Sequence, residues 1–393
     1  MPIIEYIHKL YAKMALFVTV NAVAALFLIQ LAAGAAHAGQ HQPIVGAIRW
    51  DAWYAGSPYE YNLSPRQWQD RLPFYAQRTR DGRVAVRDDS QEVMDREISL
   101  AGEAGLDYWA FCYYATKRPP RLMQMNQGLK RYLASRRKGE INFCLILEAN
   151  HLGPVEDWPK TVQRLVALFR EPTFQTVAGN RPLVFIFDPP ALKRWAGSDG
   201  AVKSMLAQLD RAAVGAGLQE PYLVAQWGTA TAGSSWAYRF GLDAISDYTH
   251  PEKGDDGELP FSALADANRR FWEECKALAQ QTVPVVNVGW DNRPRRTSPE
   301  QALKLRGPWY VPPTPDELAS HLRMAIQWER ENPAYTEANA ILIYAWNELD
   351  EGGLVPTRSE GNARLQAVKT ALQVRQTSIS STAPGRTPSS MAP

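Results

Sequence analysis

Eight short apolar runs recur along the chain, each separated from the next by a longer stretch. They are VGAIRW (45–50), LDYWAFCYY (106–114), INFCLILE (141–148), RPLVFIFD (181–188), PYLVAQW (221–227), LDAISDY (242–248), VPVVNVGW (283–290) and AILIYAW (340–346). Unbroken apolar runs of this length, without alternation, suit strands buried on both faces. The segments between them, such as DDSQEVMDREISLAGEAG, DWPKTVQRLVALFRE and FSALADANRRFWEECKALAQQ, carry apolar residues at spacings of three and four, the helical period. Asp89 or Ser90 supplies an N-cap for the first of these and Gly105 a stop. The fifth connecting segment, GTATAGSSWAYRF, holds little helix. Eight β/α units predict the α/β class and a single (β/α)8 TIM barrel, with a doubly wound open sheet as the alternative. Residues 51–88 make the first βα loop unusually long and predict a lid.

The chain ends differ from this pattern. Lys9 and Lys13 precede an apolar stretch from Met14 to Ala36, and Ala36-His37-Ala38 has the small-x-small form of a cleavage site. Residues 1–38 therefore read as a secretory signal, with an uncleaved membrane anchor as the other reading, and the expected location is periplasmic or secreted. The barrel is expected over 39–376, and the Ser, Thr and Pro rich stretch 377–393 as a disordered tail.

A formal net charge of +2 with no basic stripe gives nucleic acid no electrostatic footprint. The short clusters RPRR (293–296) and SRRK (135–138) read as solvated faces. Cys112, Cys144 and Cys275 are too few for a disulfide framework and read as buried thiols, with a Cys112–Cys144 bridge open if their strands are neighbours. The 6 histidines show no HExxH or similar spacing, so neither a metal nor a cofactor is expected. The 13 Trp and 16 Tyr are flat amphipathic rings that stack on sugar faces or fill cores.

A barrel of this kind builds its site at the C-terminal ends of its strands. Those positions are polar and aromatic: Trp50, Asp51, Trp53 and Tyr54 after the first run; Tyr113 and Tyr114 after the second; Glu148, Asn150 and His151 after the third. Asp188, Gln226, Trp227, Tyr248 and His250 follow the next three, then Trp290, Asp291 and Asn292, and finally Trp346, Asn347, Glu348 and Glu351. A three-residue offset on a helical turn sets Glu348 and Glu351 about 5–6 Å apart, close enough to couple their protonation. One carboxyl then stays protonated while its neighbour stays ionised, the division of labour that glycosidic cleavage needs. Gly352 and Gly353 would let a sugar approach the backbone.

With these residues in place, the chain resembles a glycoside hydrolase family 99-like domain, the barrel of endo-α-mannosidases and of WbsX-type polysaccharide proteins. The resemblance spans roughly residues 44–356 and rests on VGAIRWDAWY, GLDYWAFCYY, INFCLILEANH, VNVGWDNRPRR (286–296) and AWNELDEGG (345–353), the last two being the specific ones. It implies a retaining reaction in which Glu348 assists by deprotonating the substrate's own 2-hydroxyl and Glu351 is the general acid/base. Leu349 and Asp350 depart from the family pattern, which places a tryptophan at the first position. Asp291 and Asn292 are expected as direct sugar ligands. For Trp290 and Trp346 stacking and packing stay open, as do an anionic-substrate role and a loop-anchoring role for Arg295 and Arg296. The expected function is an exported retaining glycoside hydrolase with a carbohydrate substrate; the alternatives are a noncatalytic carbohydrate-binding barrel and a glycosyltransferase of polysaccharide assembly.

Overall fold

The computed structural model describes residues 42–115, 120–249, 251–252 and 254–380. The expected signal segment, His250 and the chain from residue 381 lie outside the described residues. Eight parallel strands make the barrel: β1 (Ile44–Arg49), β2 (Tyr108–Tyr113), β3 (Asn142–Glu148), β4 (Arg181–Phe187), β5 (Tyr222–Gln226), β6 (Ala244–Ser246), β7 (Val285–Asn287) and β8 (Ala340–Tyr344). Their order is β7-β8-β1-β2-β3-β4-β5-β6. The two ends meet where the Ile245 N–H donates to Gln281 O and the Val283 N–H donates to Ile245 O, both at 2.9 Å. These bonds close the sheet, so the fold is the (β/α)8 barrel and not the open doubly wound sheet.

The strands carry few polar side chains because both of their faces are covered. Val45, Ala47, Ile48, Leu145, Ile146, Val184, Val224 and Leu342 are wholly buried. At the seam between β1 and β2, a Cβ on Gly46 would lie 2.3 Å from the Tyr108 ring, whose hydroxyl donates to Ile341 O at 2.9 Å. Only glycine lets the tyrosine cross beneath β1.

Outside lie α1 (Gln91–Ala104), α2 (Gln127–Ala134), α3 (Trp158–Phe169), α4 (Asp199–Gly215), α5 (Ala230–Phe240), α6 (Phe261–Ala277), α7 (Pro315–Glu331) and α8 (Ala363–Ser380). Ser90 is the N-cap of α1, accepting from the Val93 N–H at 3.1 Å, a contact worth about 0.5–2 kcal/mol. Gly105 ends the helix at φ 85. Thr314 and Glu317 form a reciprocal capping box on α7.

One expectation needs correction. The segment with little expected helix is α5, capped by Thr229 accepting from the Ala232 N–H at 3.3 Å. Its buried face, Ala230, Gly233, Ala237 and Phe240, packs on the barrel, with Gly233 against Ile245. Packing overrides the low propensity. Cys112 and Cys144 are free and buried, as read from the sequence; although their strands are neighbours, the bridge left open does not form. The register pairs Cys144 with Ala110 and Cys112 with Ile146, an offset that keeps the sulfurs unbridged. The last helix, α8, runs to Ser380. Among the described residues, no helix is long and apolar enough to cross a membrane.

Candidate active site

Past β8 the chain makes one helical turn. The N–H groups of Glu351 and Gly352 both donate to Glu348 O, at 2.9 and 2.7 Å. The turn is locked to the loop after β7: the Asp291 N–H donates to Glu351 O at 2.7 Å, and a Cβ on Gly352 (φ 151) would lie 3.0 Å from the Gly289 carbonyl. On Gly353 it would lie 3.0 Å from Trp346 O. The glycines therefore allow backbone to meet backbone.

That contact delivers Arg295. Its Nη1 donates to Glu351 Oε1 at 2.6 Å, and its Nη2 donates to Asp350 Oδ1 at 2.9 Å and to Glu348 Oε2. One guanidinium thus bridges three carboxyls. Two hydroxyls and an amide complete them: Tyr248 donates to Glu348 Oε1 at 2.7 Å, Tyr344 donates to Glu351 Oε2, and Asn62 Nδ2 donates to Asp350 Oδ2 at 2.8 Å. Trp50 and Tyr59, from the enlarged first loop, meet edge to face at 4.8 Å and cover Arg295, whose guanidinium carbon lies 4.7 Å from the Trp50 ring centre. Glu348 is 2% exposed and Glu351 6%.

Burial governs the protonation of this group. It raises the Glu351 carboxyl to about 8, with Arg295 opposing and Glu348 and Asp350 reinforcing. Glu348 is also raised by burial, while Arg295 and the Tyr248 hydroxyl pull it back down. On the opposite wall, burial and Asp188 lift Glu148, at the end of β3, to about 7.

The other expected residues fall into two groups. Facing the mouth are Trp50, Tyr114, Glu148, Tyr248 and Trp290. The Trp50 Nε1–H donates to the Tyr114 hydroxyl at 2.9 Å, and the Trp290 ring lies 5.9 Å from that of Tyr344. Asn292, Trp290, Asp247 and Thr249 line a cavity of about 420 Å³. Tyr54, Tyr113, Asn150, His151 and Trp227 stand on the rim; Asn150 Nδ2 donates to Asp188 at 2.9 Å, and His151 sits 5.4 Å from Tyr114.

Beneath the mouth lie residues that hold it up. Trp53, Trp346 and Asn347 are wholly buried. Trp346 packs on Trp109 at 5.1 Å, the Trp53 Nε1–H donates to Asn347 O at 2.6 Å, and Asn347 Oδ1 accepts from the Trp50 N–H at 2.8 Å. Asp51 pairs with buried Arg49 at 2.8 Å. Asp291, expected to bind sugar, is instead gripped by Arg293 at 2.8 Å and by Arg71. Burial would raise its carboxyl, but these guanidiniums override it and hold it below the ordinary range. Asn292 Oδ1 accepts from Arg296 at 3.0 Å. The cluster RPRR is thus turned inward instead of solvated. Arg296 anchors the loop, and Arg295 faces the chain's own carboxyls. Sequence reasoning missed Tyr59, Asn62, Arg71 and Tyr344. Among the described residues no group of carboxylates, histidines and thiols is suited to a metal.

Solved structures share this architecture. A glycoside hydrolase-like protein superposes with a TM-score of 0.59 at 11% identity, covering 85% of this chain and 94% of the other. The GH99 endo-alpha-mannosidase from Bacteroides thetaiotaomicron in complex with BIS-TRIS-propane superposes with a TM-score of 0.55 at 13% identity, covering 86% and 98%. A second structure of that mannosidase gives 0.52, with the same identity and coverage. No curated protein matches the chain. The family model described as Glycosyltransferase WbsX matches residues 145–368, from within β3 through the carboxyl turn into α8, and the chain belongs to that family.

Proposed function

We propose that the protein is an exported retaining glycoside hydrolase that cleaves a polysaccharide or oligosaccharide, with Glu351 as acid/base and Glu348 as the assisting base. The carrying observation is that Glu348 and Glu351 share one guanidinium at the C-terminal mouth of the barrel, where burial raises both carboxyls and lifts Glu351 to about 8. Glu351, raised to about 8, is neutral at pH 7 and has a proton to give to the glycosidic oxygen. Arg295 and Tyr248 favour the ionised form of Glu348 against burial, and in that form it takes the proton of the substrate's 2-hydroxyl as that oxygen bonds to the anomeric carbon and the leaving group departs. Water then opens the anhydrosugar: Glu351 accepts its proton and Glu348 returns one to the 2-oxygen. Charge develops where fixed donors already point, which is where electrostatic stabilisation is most effective.

The family's description as a glycosyltransferase favours one variation. If a sugar hydroxyl replaces water in the second step, the same two carboxyls transfer a glycosyl group instead of hydrolysing it. Access to either reaction requires Trp50, Tyr59 and Arg295 to yield, because they cover the pair. The cavity beside Trp290 has room for further sugar units. A glycan-library screen with the secreted protein and Glu351→Gln in parallel, read by mass, tests this. Cleavage by the wild type alone is the expected result; a wild type that cuts no glycan and transfers none sinks the reading.

A further inference from the structure

The opposite wall of the mouth carries a second acidic feature that the paired-glutamate chemistry does not use. Glu148 ends β3 at 8% exposure, and among the described residues no side chain or backbone group donates to its carboxyl. Register puts Glu148 opposite Phe187, so Asp188 follows directly on the next strand. Asp188 stands in a left-handed conformation (φ 57) as the cap of a short helix, its Oδ1 accepting from the Ala191 N–H at 3.0 Å and its Oδ2 from Asn150 at 2.9 Å. On the other side, Cys112 and Tyr114 at the end of β2 sense the Glu148 charge. The Cys112 thiol lies 3.4 Å from the Tyr248 hydroxyl, which in turn holds Glu348. Glu148 therefore looks into the same space as the reacting pair.

The cations nearby are already engaged. Arg295 bridges three carboxyls, and Arg194 lies 3.4 Å from Asp188 with its side chain 65% exposed. At Glu148 and Asp188 an anionic sugar would meet two carboxyls, and the guanidinium beside them, Arg194, is already paired with Asp188. A buried carboxyl without a donor calls for a donor from the ligand, and the neighbouring Asp188 carboxyl, whose present donors are Ala191, Asn150 and Arg194, makes a cationic donor the favoured one.

We propose that Glu148 and Asp188, with the Tyr114 ring beside them, form a subsite for the ammonium group of an amino sugar, so that the substrate is a glycan bearing free amino groups rather than an acidic one. An ammonium is compact, carries three donors, and can bridge two carboxyls while resting against an aromatic face. The subsite rests on the glycosidase reading for its place in a reaction, but binding is measured without turnover.

The test is a glycan array of matched pairs, free-amine and N-acetylated hexosamine oligosaccharides in gluco and galacto configurations and several linkages, probed with wild type and Glu148→Gln. The expected result is that at least one free-amine member binds roughly 10- to 100-fold tighter than its acetylated partner and that Glu148→Gln abolishes the difference. No preference for any free-amine member in the wild type overturns the subsite, as does a preference that survives in a folded Glu148→Gln. The wild-type comparison stands without the variant. Amine-selective binding without cleavage would leave the subsite standing and remove the hydrolase; cleavage of acetylated or acidic glycans alone would do the reverse.

Discussion

The Tyr248 hydroxyl, carried just past β6, donates at 2.7 Å to Oε1 of Glu348, two strands away beyond β8. The bond favours the ionised form of a carboxyl that burial otherwise pushes up. Tyr248→Phe should raise the Glu348 pKa and move the acidic limb of the kcat/KM profile to higher pH, with turnover at the optimum falling about tenfold or less. An unchanged acidic limb would remove Tyr248 from this role.

Arg295 is the only described guanidinium bonded to Glu348, Asp350 and Glu351. Arg295→Met leaves three buried carboxyls uncompensated, and breaking such a buried cluster costs about 3–5 kcal/mol. Urea unfolding should show a loss of this size at pH 7, with the deficit shrinking as the carboxyls protonate in acid.

Gly352→Ala places a Cβ 3.0 Å from the Gly289 carbonyl, in a conformation that L residues rarely adopt. The two loops must part, so Arg295 withdraws from the carboxyls. The expected loss of stability is about 1–3 kcal/mol, with a fall in kcat larger than any rise in KM. Thermal melting and steady-state kinetics check both.

The alkaline side is set by Glu351. Its folded pKa of about 8 lies above the ordinary 4.5, so the folded state holds this proton where the unfolded chain has released it. Stability from this group is complete below pH 4.5 and is lost as pH rises through 8. Wild type should therefore lose more stability than Glu351→Gln between pH 6 and pH 9, in parallel with an activity limb near pH 8. Denaturant midpoints across that range, with equal slopes for the two proteins, would contradict the assignment.

Much of the barrel was legible because its signals are local. Eight apolar runs and their helical connections each declare themselves within ten to twenty residues, and a placement rule then points to the strand ends. The fifth helix was hidden because its Gly, Ser and Thr content lowers local propensity, while its buried face of Ala230, Gly233, Ala237 and Phe240 packs on the barrel. The site was legible as a pair and illegible as a network. Arg295 reaches residues 53 to 56 positions away, and Asn62 reaches Asp350 across 288. Tyr344 closes an apolar run in which only its hydroxyl hints at a partner, and Asp291 exchanges its expected sugar for Arg71, 220 positions earlier. Such pairings are set by the closed barrel, which the local pattern does not encode.

The central claim is tested most directly by measuring turnover of a cleaved glycan, and of an aryl glycoside with a good leaving group, by wild type, Glu348→Gln and Glu351→Gln. Loss of the acid should slow cleavage of the natural glycan by about 10²–10⁴-fold but much less with the aryl leaving group, whereas Glu348→Gln should be impaired on both. Wild-type rates in either variant on the natural glycan would contradict the paired-carboxyl assignment.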